Sequence, residues 1–456
     1  MDVNVTGRSR FPIAWSAAAA LILSMLSVSF VHAATGVYTS VPLKKVDEPL
    51  LKAANDSEAL FVRRGLVYND PDLQAYVQSV ADKILPRTTD AYIRYRISIL
   101  RDSIPNAFAM PDGQIYIHSG MLALMENEAQ LASLIGHEAN HVAGHHSILA
   151  HRDLRNKAIT GAVAGSIVGI FGGSAAAYGL NLLLVTSLFN FSRDLEEEAD
   201  QRAVARVIEA GYNVQEMPRL FALMMEDTEG LRPTMSTMWS THPMLAQRVL
   251  YLSARPEIRN FDDLNAVVGI EAFNAASRDV AIRTIQDDID GNYPREAIRL
   301  TQTLRERYGD DAELLTELGD AWRALGPRSP ESQGDVTNKQ KKKNVRARLS
   351  KSREEAQDDM LASIEGRMQY ESNMKQAMSA YLAALALDVS YAPAHEGLGE
   401  AQFALAAHRD AARSFQQYLK LEPQALDRSI VMDRMREIVR ELKAQRARES
   451  NNQPEE

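Results

Sequence analysis

Apolar residues recur at Leu73, Tyr76, Val77, Val80 and Ile84, the spacing of one helical face, and predict a helix over 73–85. Asp70-Pro71-Asp72 stands at its start, a cap candidate followed by a first-turn proline. Residues 92–101 alternate between apolar and polar and predict a strand. Residues 106–110, the turn Pro111-Asp112-Gly113 and residues 114–118 predict a β-hairpin, whose exposed strand could pair with an extended peptide or serve the fold alone. Leu131, Leu134, Ile135 and Val142 then return to helical spacing, behind Asn127 and Gln130, the residues of a capping box.

Residues 158–192 carry no charge, and Gly161, Gly165, Gly169, Gly172, Gly173 and Gly179 interrupt Ala, Ile, Leu and Val. The length suits a membrane hairpin. The glycines, with Asn181, Thr186, Ser187 and Asn190, suit a buried or mobile hairpin covering a site, so residues 158–189 leave both readings open. Charge returns at 193–200, where Asp194 and Glu197 read as a capped helix start, and the helix runs to about Ala210 with Gly211 as its stop.

From about Asp263 onward the pattern is almost wholly helical. Ala377, Tyr381, Leu385 and Leu387 recur 34 positions later as Ala411, Phe415, Leu419 and Leu421, the period of tetratricopeptide helix pairs. Leu318-Gly319 and Leu398-Gly399 occupy the Leu-Gly site of that repeat but are 80 apart, so one repeat of 34 leaves 46 inserted residues, 80 − 34. The insert fits about 327–372 and holds Lys339, Lys341, Lys342, Lys343, Arg346, Arg348, Lys351 and Arg353. Such a basic run is usually a solvated segment; contact with anionic lipid or RNA is the sharper alternative.

Composition narrows the class. The chain of 456 residues is 45% hydrophobic and 24% charged, ordinary for globular protein, and its net charge of −9 gives no support to nucleic-acid binding. Arg8 and Arg10, an uncharged run from Phe11 to about Val31, and Val31-His32-Ala33 form an export-signal pattern over 1–33; an uncleaved anchor is the alternative. There is no cysteine, which excludes disulfides and is compatible with a periplasm. The domain plan is a signal over 1–33, a first domain over 34–260, a helical repeat domain over 263–445 with its basic insert, and a disordered tail over 446–456.

Chemistry concentrates at His137-Glu138-Ala139-Asn140-His141. On a helix, residues four apart share a face, so His137 and His141 aim at one point and suit two ligands of a zinc ion, one per chain. Glu138, displaced by one residue, can serve as the general base toward a water. The metzincin pattern fails, because Ser147 stands where its third histidine belongs and His146 and His145 fall one and two residues short. A distant carboxylate is therefore expected. Glu196 and Asp200 are four apart on one predicted helix; one can be the third ligand and the other can hold a ligating imidazole, although an acidic helix start is otherwise a solvated turn.

His137-Glu138-x-x-His141, the segment Ser192-Arg193-Asp194-Leu195-Glu196-Glu197-Glu198-Ala199-Asp200, and Thr241-His242-Pro243 with Arg248 resemble the HtpX/CaaX-protease group of gluzincin peptidases. Asn106-Ala107-Phe108-Ala109 and Gly113-Gln114-Ile115-Tyr116-Ile117 resemble that group's hairpin. The resemblance covers roughly 60–255. It implies an α+β, mostly helical gluzincin domain with a small sheet, followed by an all-α tetratricopeptide-type solenoid. It also implies that Glu196 is the zinc ligand, that Asp200 is a catalytic or supporting acid, that His242 can fill the open metal position as a switch ligand, and that His146 is structural. With the export signal and the repeat tail, it points to the group's periplasmic members: zinc endopeptidases that degrade or help assemble outer-membrane proteins, beside the β-barrel assembly machinery and with contact at a membrane surface an option. The alternative is a chaperone-like adaptor whose zinc site His242 keeps closed.

Overall fold

The structure is a computed structural model that describes residues 40–87, 90–159, 191–228, 245–326 and 364–451. The export segment, nearly all of the uncharged stretch, Thr241-His242-Pro243 and most of the basic insert lie outside the described residues.

A short 3-10 turn leads into α1 (Glu48–Arg63), and α2 (Pro71–Ile84) follows. The Asp70 carboxylate caps α2 by accepting from the backbone N–H of Asp72 and Leu73, and Leu73, Val77, Val80 and Ile84 turn inward as their spacing dictates. Three strands form one sheet, β1 (Arg96–Leu100), β2 (Ala107–Ala109) and β3 (Gln114–His118), in the order β1-β3-β2. β2 and β3 are the expected antiparallel hairpin, with Phe108 opposite Tyr116. β1 joins the other edge of β3 in parallel, Ile97 opposite Ile115 and Ile99 opposite Ile117. The strand expected over 92–101 narrows to β1, because the Arg94 N–H bonds the Asp112 carbonyl at 2.7 Å and packs against the hairpin turn instead. Gly113 has φ +97°, and a Cβ there would lie 2.6 Å from the Arg94 backbone, so only glycine closes this turn.

Then come α3 (Ser119–Leu124), α4 (Glu128–Ala143), α5 (His146–Ile159), α6 (Arg193–Glu209), α7 (Glu216–Thr228), α8 (Leu245–Ala254) and the short α9 (Pro256–Arg259). α4 is buried along its whole length, packed against α6, α7, α2 and the sheet. Asn127 caps it by accepting from Gln130 N at 2.9 Å. The return half of the expected capping box is displaced: Gln130 Oε1 accepts from Glu126 N at 2.8 Å, since its amide is drawn to Glu216, where Asn127 Nδ2 also donates. α6 begins at Arg193, before the expected cap Asp194, because the Ser192 carbonyl already accepts from Leu195 and Glu196 N–H.

The C-terminal part is α10 (Ile270–Asp290), α11 (Pro294–Tyr308), α12 (Ala312–Ala324), α13 (Ile364–Leu387), α14 (Ala392–Ala404), α15 (His408–Leu421) and α16 (Arg428–Asn451). These helices stack in sequence, α12 on α13 and α14 on α15, with α13 also against α14. The Leu-Gly spacing has a steric cause. A Cβ at Gly319 would lie 2.5 Å from the Tyr381 ring, and one at Gly399 would lie 2.7 Å from the Phe415 ring. α13 starts at Ile364, inside the stretch expected to be insert, because buried Asn373 donates to the Leu325 carbonyl and ties its first turns to the end of α12. α16 runs to Asn451, past residue 446, where the tail was expected; pairs such as Arg434–Glu437 one turn apart support a helix that has little core. Among the described residues, no helix is long and apolar enough to cross a membrane.

The two parts join through a strap, residues 267–269. Val267 N–H donates to the Gly211 carbonyl at 2.8 Å, and its carbonyl accepts from Asn213 N–H at 2.9 Å, at the C-terminal end of α6. The Val268 and Gly269 carbonyls accept from Ala129 and Glu128 N–H at 3.1 and 3.4 Å, at the N-terminal end of α4. Gly269 has φ +72°, and a Cβ there would lie 2.7 Å from Glu128 Cβ. α10 then packs on α3, with Ala123 in one apolar cluster with Ala281, Ile282 and Ile285.

Burial, with Asp320 nearby, pushes the Glu317 and Glu396 carboxyls of the repeat part up to about 7, against an ordinary 4.5. The folded chain therefore retains protons there that the unfolded chain releases, and stability falls as pH rises from about 4.5 through 7. Expected is a higher unfolding temperature for the repeat part at pH 5.5 than at pH 8. Glu317→Gln with Glu396→Gln should shrink that difference, read by thermal denaturation of the full chain.

Candidate metal centre

Helical geometry places His137 and His141 one above the other on α4, both essentially without solvent exposure. α6 crosses α4 and brings Glu196 and Asp200, one turn apart and both buried, to the same point. His137 Nε2 lies 3.0 Å from His141 Nε2, and the Glu196 oxygens lie 3.6 Å from His137 Nε2 and 3.3 Å from His141 Nε2. All three donors fall within 4.8 Å of one another. Donors on one tetrahedral zinc stand about 3.3 Å apart, given bonds near 2.0–2.1 Å.

The tautomers agree with that use. His137 Nδ1 is 2.8 Å from Asp200 Oδ1. An ionised carboxylate only accepts, and at 2.8 Å it is closer to Nδ1 than the donor Arg248 Nη2 at 3.2 Å, so it favours the proton on Nδ1 and the Nε2 lone pair toward His141 and Glu196. His141 turns Nδ1 toward His146 Nδ1 at 2.8 Å and stacks on Phe191, ring centres 4.2 Å apart. Burial holds the His141 imidazole well below its ordinary pKa and so keeps it neutral. Two imidazoles and a carboxylate converging in a buried site fit zinc by donor chemistry.

Arg248 on α8 supplies the positive charge that the carboxylates need. It is 1% exposed, and its Nε and Nη2 grip both Asp200 oxygens at 2.9 and 2.6 Å, while Nη1 reaches Glu196 Oε2 at 2.9 Å. Burial pulls its pKa down, but Asp200 and Glu196 outweigh burial and hold it above the ordinary guanidinium value. Burial likewise pushes Asp200 up, and Arg248 with His137 outweighs it, so Asp200 stays below the ordinary carboxylate range. Tyr251 donates to Asp200 Oδ2, and the Arg248 guanidinium lies 4.1 Å over the Phe221 ring.

Glu138 is buried beside His137 on α4. His137, Glu138, His141, Glu196 and Asp200 thus lie on the two crossing helices, whereas His242 lies outside the described residues. What the sequence reading missed is the use of Arg248. Its neighbours at −3 and +4 are Leu245 and Leu252, both buried, so an arginine on a core-facing stripe was the available signal.

Changing Asp200 to Asn removes the negative charge that holds the His137 proton on Nδ1 and pairs with Arg248, and zinc affinity should fall by about 10–100-fold. Competition with a chromophoric chelator measures it.

Residues 68–256 match Peptidase family M48. The chain is 27% identical over 222 residues to the putative beta-barrel assembly-enhancing protease of Vibrio cholerae, covering 47% of this chain and 45% of that one. It is 27% identical over 175 residues to the mitochondrial metalloendopeptidase OMA1 of Schizosaccharomyces pombe, covering 38% and 50%. It is 32% identical over 167 residues to the metalloprotease LoiP of Escherichia coli, covering 36% and 62%. The chain spans less than half the length of the beta-barrel assembly-enhancing proteases that it matches. Both helices that converge at the centre lie inside the matched span, and residues 68–256 are a peptidase family M48 domain.

Proposed function

We propose that the chain is an exported zinc-dependent endopeptidase that acts on outer-membrane proteins during their assembly and quality control. The observation that carries the reading is the convergence of His137, His141 and Glu196, with Glu138 adjoining, in a buried centre. The names of the relatives support the substrate class, and the pattern of residues 1–33 supports export.

His137 and His141 through Nε2, and Glu196 through its carboxylate, would hold the ion. Zinc, when bound, supplies Lewis acidity and lowers the pKa of water. Glu138 is the general base: its carboxylate takes a proton from the attacking water and returns it to the amine that leaves. Asp200 keeps the His137 proton on Nδ1, so Nε2 remains a ligand. Arg248 keeps Asp200 ionised and holds Asp200 and Glu196 in register. β2 is an edge strand that packs on α4, and an extended peptide adding to it would run past the centre with its backbone hydrogen-bonded. His242 would occupy the open metal position at rest and leave when a client engages. The stacked helices would bind clients and keep them close to the site, the role for which curved helical repeats are suited.

Glu138→Gln tests this. The variant should retain zinc and fold while cleavage of an unfolded outer-membrane protein falls by at least about 100-fold. Cleavage at the wild-type rate by the variant overturns the reading.

A further inference from the structure

The turn that ends the metal helix is built to place one more imidazole. After α4 stops at Ala143, His145 adopts φ +56°, a left-handed conformation that a histidine rarely takes. Its ring is held on both nitrogens: Tyr92 Oη lies 2.8 Å from Nδ1, and Asp90 Oδ2 lies 3.2 Å from Nε2. The reversal swings His146 back beneath His141. Gly144 makes the room, since a Cβ there would lie 2.4 Å from His146 Nε2 and 2.7 Å from its Cδ2. His146 is 1% exposed, its ring centre 4.8 Å from that of His141 at 79°, with Phe191 against both rings.

Two imidazoles meeting nitrogen to nitrogen, His141 Nδ1 to His146 Nδ1 at 2.8 Å, need one N–H and one lone pair. Two arrangements satisfy this. In the first, His141 donates from Nδ1, its Nε2 lone pair faces His137 and Glu196, and His146 carries its own proton on Nε2. In the second, His146 donates, His141 then carries a proton on Nε2 where a ligand lone pair is needed, and His146 turns a bare Nε2 outward. Glu196 Oε1, 3.3 Å from His141 Nε2, would draw a proton there in the absence of an ion; with an ion between them that pull is gone and Glu198 decides, its Oε2 lying 3.8 Å from His146 Nε2. A carboxylate attracts an N–H there and repels a lone pair, so it favours the first arrangement. Glu198 lies on α6, two residues beyond Glu196, so the helix that supplies the third donor also sets the tautomer of the second.

We propose that His146 is a positioning residue of the metal site, which fixes His141 with its proton on Nδ1 and its Nε2 free to bind, and that Glu198 polarises His146 to do so. This rests on the reading of His137, His141 and Glu196 as a zinc site. His146 touches neither the ion nor a substrate in this scheme; it acts through His141.

The experiment measures the zinc dissociation constant of the full chain by chelator competition. The variants are His146→Phe, His146→Gln, Glu198→Gln and Glu198→Lys, and the melting temperature of each zinc-free protein is recorded. Phe fills the space of the ring without an acceptor, whereas the Gln side-chain oxygen can accept the His141 proton. His146→Phe should weaken zinc binding by about 10–100-fold, and His146→Gln should recover most of that loss. Glu198→Lys, on a half-exposed side chain, presents a cation to His146 Nε2 and should weaken binding more than Glu198→Gln does. If wild-type protein binds no zinc, the underlying site is wrong and the inference falls with it. If wild-type protein binds zinc and His146→Phe binds it equally, or Phe and Gln lose affinity equally, the positioning role alone is overturned. Should His146→Phe fail to fold, the two Glu198 variants decide, and equal affinity for Lys, Gln and wild type overturns it.

Discussion

Everything at the centre depends on enclosing three carboxyl groups in a protein core beside the guanidinium of Arg248. Glu138, Glu196 and Asp200 are each 3% exposed or less, and a buried carboxylate without a cation neutralises itself by taking up a proton. Arg248 supplies one positive charge and grips two of the three. One guanidinium cannot balance more than one carboxylate, and a divalent ion would supply the positive charge for the others. Geometry and not charge explains why the cation is arginine. Its planar fork meets Asp200 with two nitrogens and Glu196 with a third, which a lysine ammonium on a flexible stem does not reproduce.

The fold serves this balance by crossing two helices in a dry environment. α4 is enclosed by α2, α6, α7 and the sheet, so burial keeps the His141 ring neutral, and the Nε2 atoms of His137 and His141 stand 3.0 Å apart. Its N-terminal end is fixed as firmly as its metal end. Glu128 accepts from Tyr212 Oη at 2.6 Å, Tyr76 Oη at 2.9 Å and Lys83 Nζ at 3.2 Å, while Asn127 and Gln130 both donate to Glu216. These polar contacts bring together α2, α4, the end of α6 and α7, so the angle between the crossing helices is set by hydrogen bonds as well as by apolar packing.

Sequence reading reached whatever depends on local periodicity. His137, Glu138 and His141 were legible because helix geometry puts them within one turn, and Glu196 with Asp200 because the same rule applies two helices later, with the family resemblance needed to tell which of the two is the ligand. Asp70 and Asn127 announced the starts of their helices because a cap is a local device. Contacts set by tertiary packing were not legible. Nothing local to 96–100 says that it joins β3 in parallel, since pairing partners are chosen by the whole core. The use of His146 depends on a left-handed residue, which leaves no periodic trace, and that of Arg248 on a helix arriving some hundred positions later in the chain, whose apolar stripe marks Arg248 as inward-facing without naming its partners. The early start of α13 escaped for a related reason: a charged, repeat-poor stretch looks like a linker until Asn373 is seen to be buried against the end of α12.

The strap over 267–269 carries a mechanical consequence. It hydrogen-bonds through backbone to α6 at Gly211 and Asn213 and to α4 at Glu128 and Ala129, the far ends of the two helices that meet at His137 and Glu196. The helical array that begins at Ile270 is therefore not a tethered appendage. The residues that lead into it are anchored to both helices of the metal centre at once, so a load on the array is passed to the ends of α4 and α6 together.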